Sequence, residues 1–216
     1  MRGLDRARAA EPSVVGIFVG GLSRRMGGEP KGLLTSPETN EPLVVSLVAA
    51  ARAAGLEPVL VGDALGYAAV VQDVARIADA PAGVGPLGGL RALLSHAGRR
   101  RALAVACDMP HVTPPLLSYL DAFDAAAPVV APRARSGVWE PLLARYEPER
   151  VMPELDRALA DGVRSFQRFF ERIEVLELPL VGAERRALVD WDTPEDRAAD
   201  VSEDPASGAP RRPPRA

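Results

Sequence analysis

An unbroken apolar run, Val14-Val15-Gly16-Ile17-Phe18-Val19, leads straight into a glycine-bearing stretch, Gly20-Gly21-Leu22-Ser23-Arg24-Arg25-Met26-Gly27-Gly28. A short run with no polar alternation fits a strand covered on both faces, as in the interior of a parallel sheet. Helices must then flank that strand. The spacing predicts one over residues 42–54, where Leu43, Leu47, Val48 and Ala51 recur at helical intervals and Gly55 follows the end. Short apolar strands are predicted at 57–62, near 74–78, at 102–107 and at 129–132. Between them, Gly83 to Leu90 opens a helix with Leu87, Leu90 and Leu94 on one face. Leu116, Leu117, Leu120 and Phe123 mark another after Pro114-Pro115.

Further on, a strand is expected over 138–146. Helices are marked by Val151, Leu155, Ala158 and Leu159, and by Phe166, Phe169, Phe170 and Ile173. An alternating strand is expected over 173–178, and Asp192 or Thr193 is placed to cap a short helix started by Pro194. Strands alternating with helices point to an α/β fold, a three-layer sandwich with a mainly parallel central sheet.

The totals narrow the function classes. A length of 216 residues suits one domain. We expect a flexible N-terminal segment (1–13), a single domain (14–201) and a disordered Pro-, Ser- and charge-rich tail (202–216). A formal net charge of −3 argues against non-specific nucleic-acid binding. No apolar run approaches the ~20 residues that span a bilayer, so no membrane partner is expected. Cys107 is the single cysteine, which excludes an intrachain disulfide and suits a cytoplasmic setting. His96 and His111 are the only histidines, so a histidine-rich metal site is excluded.

The chemistry concentrates in the first loop. Its glycines let the backbone turn tightly and bring N–H groups toward phosphate oxygens, Arg25 and Lys31 add full charges, and a following helix start favours an anion. Lys31 is followed by Gly32, so this is not a P-loop of the G-x-x-x-x-G-K-[ST] kind. Asp108 falls at the carboxyl end of a buried strand, where ligands bind in open α/β sheets, and is a candidate Mg²⁺ ligand; the alternative is that it caps the turn into Pro110. Cys107 reads as a small core residue, His111 as a surface-loop residue, and Phe166, Phe169 and Phe170 as core.

The order of motifs adds specificity. Gly-Gly-x-Ser-x-Arg-Met-Gly at 20–27 with Lys31 and Leu33-Leu34, then Gly85-Pro86-Leu87-Gly88-Gly89-Leu90, then Ala106-Cys107-Asp108-Met109-Pro110, then Asp192-Thr193-Pro194-Glu195-Asp196 resembles the nucleotidyltransferases of glycosyltransferase-A-like (Rossmann-like) fold. Within them the chain looks most like the molybdenum cofactor guanylyltransferase family, over roughly residues 14–200. The resemblance implies a nucleotide-binding half (14–112) and an acceptor-binding half (113–201). It implies nucleotide contacts from Val19, Gly20, Gly21, Lys31, Gly62, Asp79, Gly85, Pro86, Leu87, Gly88 and Asp108. Asp108 is the implied Mg²⁺ ligand, and Arg25, Lys31 and Asp108 the implied catalytic set. Glu140, Asp190, Trp191 and Asp192 fall on the acceptor side. Trp139 and Trp191 are candidates to stack on a flat pterin, and Arg133, Arg135 and Arg164 either meet the acceptor's phosphate or are solvated.

The implied substrates are GTP and molybdopterin or Mo-molybdopterin, with other cofactor-assembly proteins or the recipient molybdoenzyme as further partners. The implied reaction transfers GMP to the acceptor's phosphate and releases pyrophosphate. Pro30 stands where the family usually has Asp, and Gly62 where it often has Asn. Two other readings therefore stay open. One is transfer from CTP, or to another phosphorylated acceptor. The other is a non-catalytic nucleotide-binding module in cofactor assembly.

Overall fold

The apolar run forms β1 (Val14–Phe18), buried along its whole length. On one side it pairs in parallel with β2 (Glu57–Val61), which pairs in parallel with β3 (Ala75–Ile77). On the other it pairs in parallel with β4 (Ala102–Ala106). The sheet continues through β6 (Leu143–Tyr146) and β5 (Val129–Ala131) to β7 (Val175–Glu177), in the order β3-β2-β1-β4-β6-β5-β7. Only β6 runs against the others. The carboxyl ends of β1 to β5 and β7 therefore share one edge of the sheet, and the residues entering β6 lie at that edge too. The structure, a computed structural model, describes residues 11–19, 30–123 and 126–191, together with Asp196, Ala198 and Asp200.

Helices α1 (Leu43–Ala53) and α3 (Pro114–Ala122) cover one face; α2 (Pro86–Ala97), α4 (Pro148–Ala160) and α5 (Phe166–Phe170) cover the other. The period-2 geometry of a strand makes that division. Val15 and Ile17 enter the core under α1 and α3, and Val14 and Phe18 the core under α2. Both faces of β1 are thus apolar, which is why its sequence shows no alternation. The expected three-layer α/β fold with a mainly parallel sheet is what forms.

Local signals set the boundaries. Thr113 caps α3, its side chain accepting from the Leu116 N–H, with Pro114 at the first turn. Ser165 caps α5 in the same way, accepting from the Arg168 N–H. Arg145 on β6 is fully buried and donates to the carbonyls of Asp121 and Ala127, tying the end of α3 to the sheet.

Three expectations are corrected. The strand expected over 138–146 is confined to Leu143–Tyr146, since Pro141 has no N–H for a ladder and Trp139 makes only an isolated bridge to Arg133. The helix marked by the phenylalanines stops at Phe170, before Ile173. His111 is not a surface residue: it is 6% exposed and held at both ring nitrogens, 2.9 Å from Glu38 Oε1 and 2.7 Å from Asp200 Oδ2. Most of the N-terminal segment, the tail, and the cap expected at Asp192 or Thr193 lie outside the described residues. Among the described residues no helix is long and apolar enough to cross a membrane.

Candidate functional site

Asp108 follows β4 directly. The Cys107 N–H donates to the Phe18 carbonyl (3.1 Å), and the Ala106 N–H to the Leu142 carbonyl (2.9 Å), so the chain entering Asp108 is held from both neighbouring strands. Lys31 starts a 3-10 turn (Lys31–Leu33), closed by Leu33 N–H to the Pro30 carbonyl (2.9 Å). Pro30 has φ −60°, the value its ring imposes, so it fits the entry to this turn without strain. Gly32 lets the turn close down on its neighbours: a Cβ there would lie 2.8 Å from the Tyr67 ring and 3.3 Å from Cys107 Cβ. This packing aims Lys31 at the end of β4. Its Nζ lies 2.7 Å from Asp108 Oδ2, with the two side chains 19% and 14% exposed.

The pair sits on a cavity of about 440 Å³ that Asp79, Gly85 and Pro86 also line, with Phe18, Val61 and Leu142 as apolar wall. Burial raises the pKa of the Asp79 carboxyl. The Gly-Gly pair of α2 permits this assembly. A Cβ on Gly88 would lie 2.5 Å from the Pro81 carbonyl oxygen, and one on Gly89 3.1 Å from Asp79 Oδ1. The Ala80 N–H donates to the Gly88 carbonyl (3.1 Å), fixing the segment after β3 against the start of α2. Cys107 also lines the cavity, but burial, then the Asp108 charge, pushes its thiol up to about 12. It is a thiol at neutral pH and no nucleophile.

Lys31, Asp79, Gly85, Pro86 and Asp108, all among the contacts that the resemblance implies, thus line one cavity. Leu87 and Val19 point elsewhere, into the core on opposite faces of the sheet. Gly62, at φ +102°, ends β2 with its N–H on the Ile77 carbonyl; like Gly88, it is not among the residues lining the cavity. Gly20, Gly21, Arg25 and Asp192 lie outside the described residues.

On the acceptor side, Glu140 precedes β6, its N–H on the Pro132 carbonyl (3.0 Å). Burial, then the nearby Asp190 charge, raises its carboxyl to about 7. Asp190 is exposed. Trp191 is corrected: it is 0% exposed, packed with Leu34 and Leu43, and offers no ring face to a pterin. Its role is support. Its backbone N–H donates to the Asp108 carbonyl (3.1 Å), and its indole N–H to Asp200 Oδ2 (3.1 Å), the oxygen that also meets His111. Trp139 is half-buried with the Arg133 guanidinium stacked 3.6 Å above its ring, and Arg164 donates to the Leu159 and Val163 carbonyls. Sequence reasoning missed Tyr67 and the His111–Asp200–Trp191 link. An isolated aromatic or histidine in a polar loop carries no periodicity that would reveal it.

Mg²⁺ is the metal the sequence implies, and the donors fit it. Asp108 offers hard carboxylate oxygens at the cavity. Among the described residues no group of three or more His, Cys, Asp or Glu could form a closed protein cage. One or two carboxylates completed by substrate phosphates is the usual Mg²⁺ arrangement.

Against known proteins, residues 15–175 match the family described as the MobA-like NTP transferase domain. The chain is 32% identical over 188 residues to the molybdenum cofactor guanylyltransferase of Pseudomonas putida, covering 87% of this chain and 96% of that one. It is 33% identical over 190 residues to the probable molybdenum cofactor guanylyltransferase of Opitutus terrae, covering 84% and 91%. Among solved structures, it resembles molybdopterin-guanine dinucleotide biosynthesis protein A from Archaeoglobus fulgidus, with a TM-score of 0.71 at 27% identity, over 88% of this chain and 98% of that one.

Proposed function

The chain belongs to the family of MobA-like NTP transferase domains, and from that premise we propose that it is a guanylyltransferase: it transfers GMP from GTP to the terminal phosphate of molybdopterin or Mo-molybdopterin and releases pyrophosphate. The observation that carries the reading is the convergence of Lys31, Asp108 and Asp79 on one cavity at the carboxyl edge of the sheet. The likeness to named guanylyltransferases over most of both chains supports the choice of substrates.

The reaction forms a bond between an acceptor phosphate oxygen and the α-phosphorus of GTP, and breaks the bond from that phosphorus to the β-phosphate bridge. An ionised phosphate oxygen is already a nucleophile, so the protein supplies no general base; the protonated Cys107 is consistent with that. What remains is alignment of two anions and neutralisation of charge. Lys31 exchanges Asp108 for phosphate oxygens of the triphosphate, Asp79 accepts N–H or O–H donors of the nucleoside, and Gly85 and Pro86 wall the cavity against it. Mg²⁺, held by Asp108 and the nucleotide's own phosphates, would supply further neutralisation of charge on the leaving pyrophosphate. Glu140 and Asp190 lie toward the acceptor.

Calorimetric titration with GTP, CTP and ATP in the presence of Mg²⁺ tests the nucleotide assignment. GTP is expected to bind tightest; preferential binding of CTP would transfer the reading to cytidylyl transfer.

A further inference from the structure

The carboxyl edge carries a second, wider cleft of about 920 Å³, bounded by the 134–136 turn and the segment from Gly182 to Val189. Arg135, Arg185 and Arg186 line it, and Asp200 is the acid among its described walls. Asp200 offsets one cation, standing 3.6 Å from Arg186, while its other oxygen serves His111 and Trp191. Among the described residues Arg185 donates only to the Leu180 carbonyl (3.5 Å), and neither it nor Arg135 is paired with a carboxylate. Elsewhere such pairing is common, as in Arg52–Asp73, Arg91–Asp156, Arg100–Glu57 and Arg172–Asp161. Leu188 and Val189 give the cleft an apolar wall.

The cleft is close to the transfer site. Val189 lines it, and Trp191, two residues on, holds the Asp108 carbonyl at 3.1 Å. Two residues of chain span at most ~7 Å, which puts this wall within roughly 10 Å of Asp108. A phosphorylated dithiolene pterin carries two separated anionic centres, the phosphate and the paired sulfurs. With the phosphate at Asp108, the paired sulfurs lie only a few bonds beyond it, on the ring carbons next to the one that bears the phosphate's methylene, and the pterin extends past them. A guanidinium is a planar fork that meets paired anionic atoms side by side, as it meets the two oxygens of a carboxylate.

We propose that Arg135, Arg185 and Arg186 form an anion-receiving subsite for the dithiolene end of the acceptor, whether bare dithiolate or bearing an oxometal. The proposal rests on the acceptor assigned above. It places a fixing point for the acceptor on the side away from the nucleotide, so that the phosphate is aligned before GTP reacts.

The test compares the wild-type protein with Arg135→Gln/Arg185→Gln. Each is titrated anaerobically, without GTP, with metal-free and with molybdenum-loaded molybdopterin, and separately with GTP. Thermal melting checks that the double variant is folded. The expected result is acceptor affinity weakened about tenfold or more, with GTP affinity unchanged and only partial recovery in Arg135→Lys/Arg185→Lys. Weakening toward both acceptor forms supports recognition of the sulfurs; weakening toward the loaded form alone supports recognition of the oxometal. Acceptor affinity within about twofold of wild type while transfer persists overturns the subsite. So does unchanged acceptor affinity with loss of binding to a recipient molybdoenzyme, which would make the cleft a protein-docking surface. A wild-type protein that binds GTP but neither acceptor form overturns the proposed function itself.

Discussion

Lys31 Nζ and Asp108 Oδ2 stand 2.7 Å apart, an ion pair that joins the end of the first loop to the carboxyl end of β4 across 77 positions of sequence. Each charge holds the other at the cavity wall. In the proposed reaction a triphosphate with its metal would offer each a new partner: phosphate oxygens for the ammonium, a cation for the carboxylate. Opposite charges that part in this way are placed without leaving either one buried and uncompensated.

Removing the ammonium should therefore damage the chemical step more than the fold. Lys31→Ala is expected to lower turnover by about two orders of magnitude or more, the scale of one lost transition-state charge contact. Steady-state kinetics at saturating GTP would read it. Near-normal turnover would remove Lys31 from the mechanism.

Asp108→Ala should abolish Mg²⁺-dependent transfer, and chelation of Mg²⁺ should silence the wild-type protein reversibly. A readout independent of turnover is Mn²⁺ binding in the presence of GTP, followed by electron paramagnetic resonance. The wild type should immobilise the ion and the variant should not. Retention by the variant would assign the metal to another residue.

Gly88→Ala tests the packing between α2 and the segment after β3. Its new Cβ would sit 2.5 Å from the Pro81 carbonyl oxygen, which is backbone and cannot swing aside. A loss of about 1–3 kcal/mol is expected, the usual cost of overpacking, together with weaker GTP binding because Asp79 moves with its segment. Thermal melts and calorimetry measure the two effects. An unchanged GTP affinity would show that Asp79 does not depend on this contact.

Glu140 gives the chain a pH signature. Its carboxyl is raised from 4.5 to about 7, mainly by burial and then by Asp190. Between those values the folded state holds a proton that the unfolded state has released, so this group's contribution to stability falls as pH rises through that window. Glu140→Gln should flatten that fall, as followed by denaturant unfolding at several pH values. An identical pH dependence in the variant would contradict the assignment.

Much of the fold was legible because β1, β4 and the Val59-Leu60-Val61 end of β2 are covered on both faces and read as plain apolar runs. The cavity was legible in part: Lys31, Asp79, Gly85 and Asp108 each stand at a strand end or helix start, where sequence patterns are strongest. The rest depends on long-range packing. Trp191 sits beside polar motif residues, which suggests a ligand contact, yet its indole is core because Leu34 and Leu43 close over it. His111 is drawn inward by Glu38 and Asp200, distant in sequence, and no local pattern encodes that. Arg145 lies within an otherwise apolar strand and is buried because carbonyls at the end of α3 receive it.

Acceptor-dependent pyrophosphate release measures guanylyl transfer to a phosphorylated pterin directly. Purified protein is incubated with Mg²⁺, molybdopterin and GTP, CTP or ATP in turn, and pyrophosphate is followed with and without the acceptor. Release is expected to require the acceptor and to be fastest with GTP. Release fastest with CTP, or nucleotide binding with no acceptor-dependent release, would contradict guanylyl transfer.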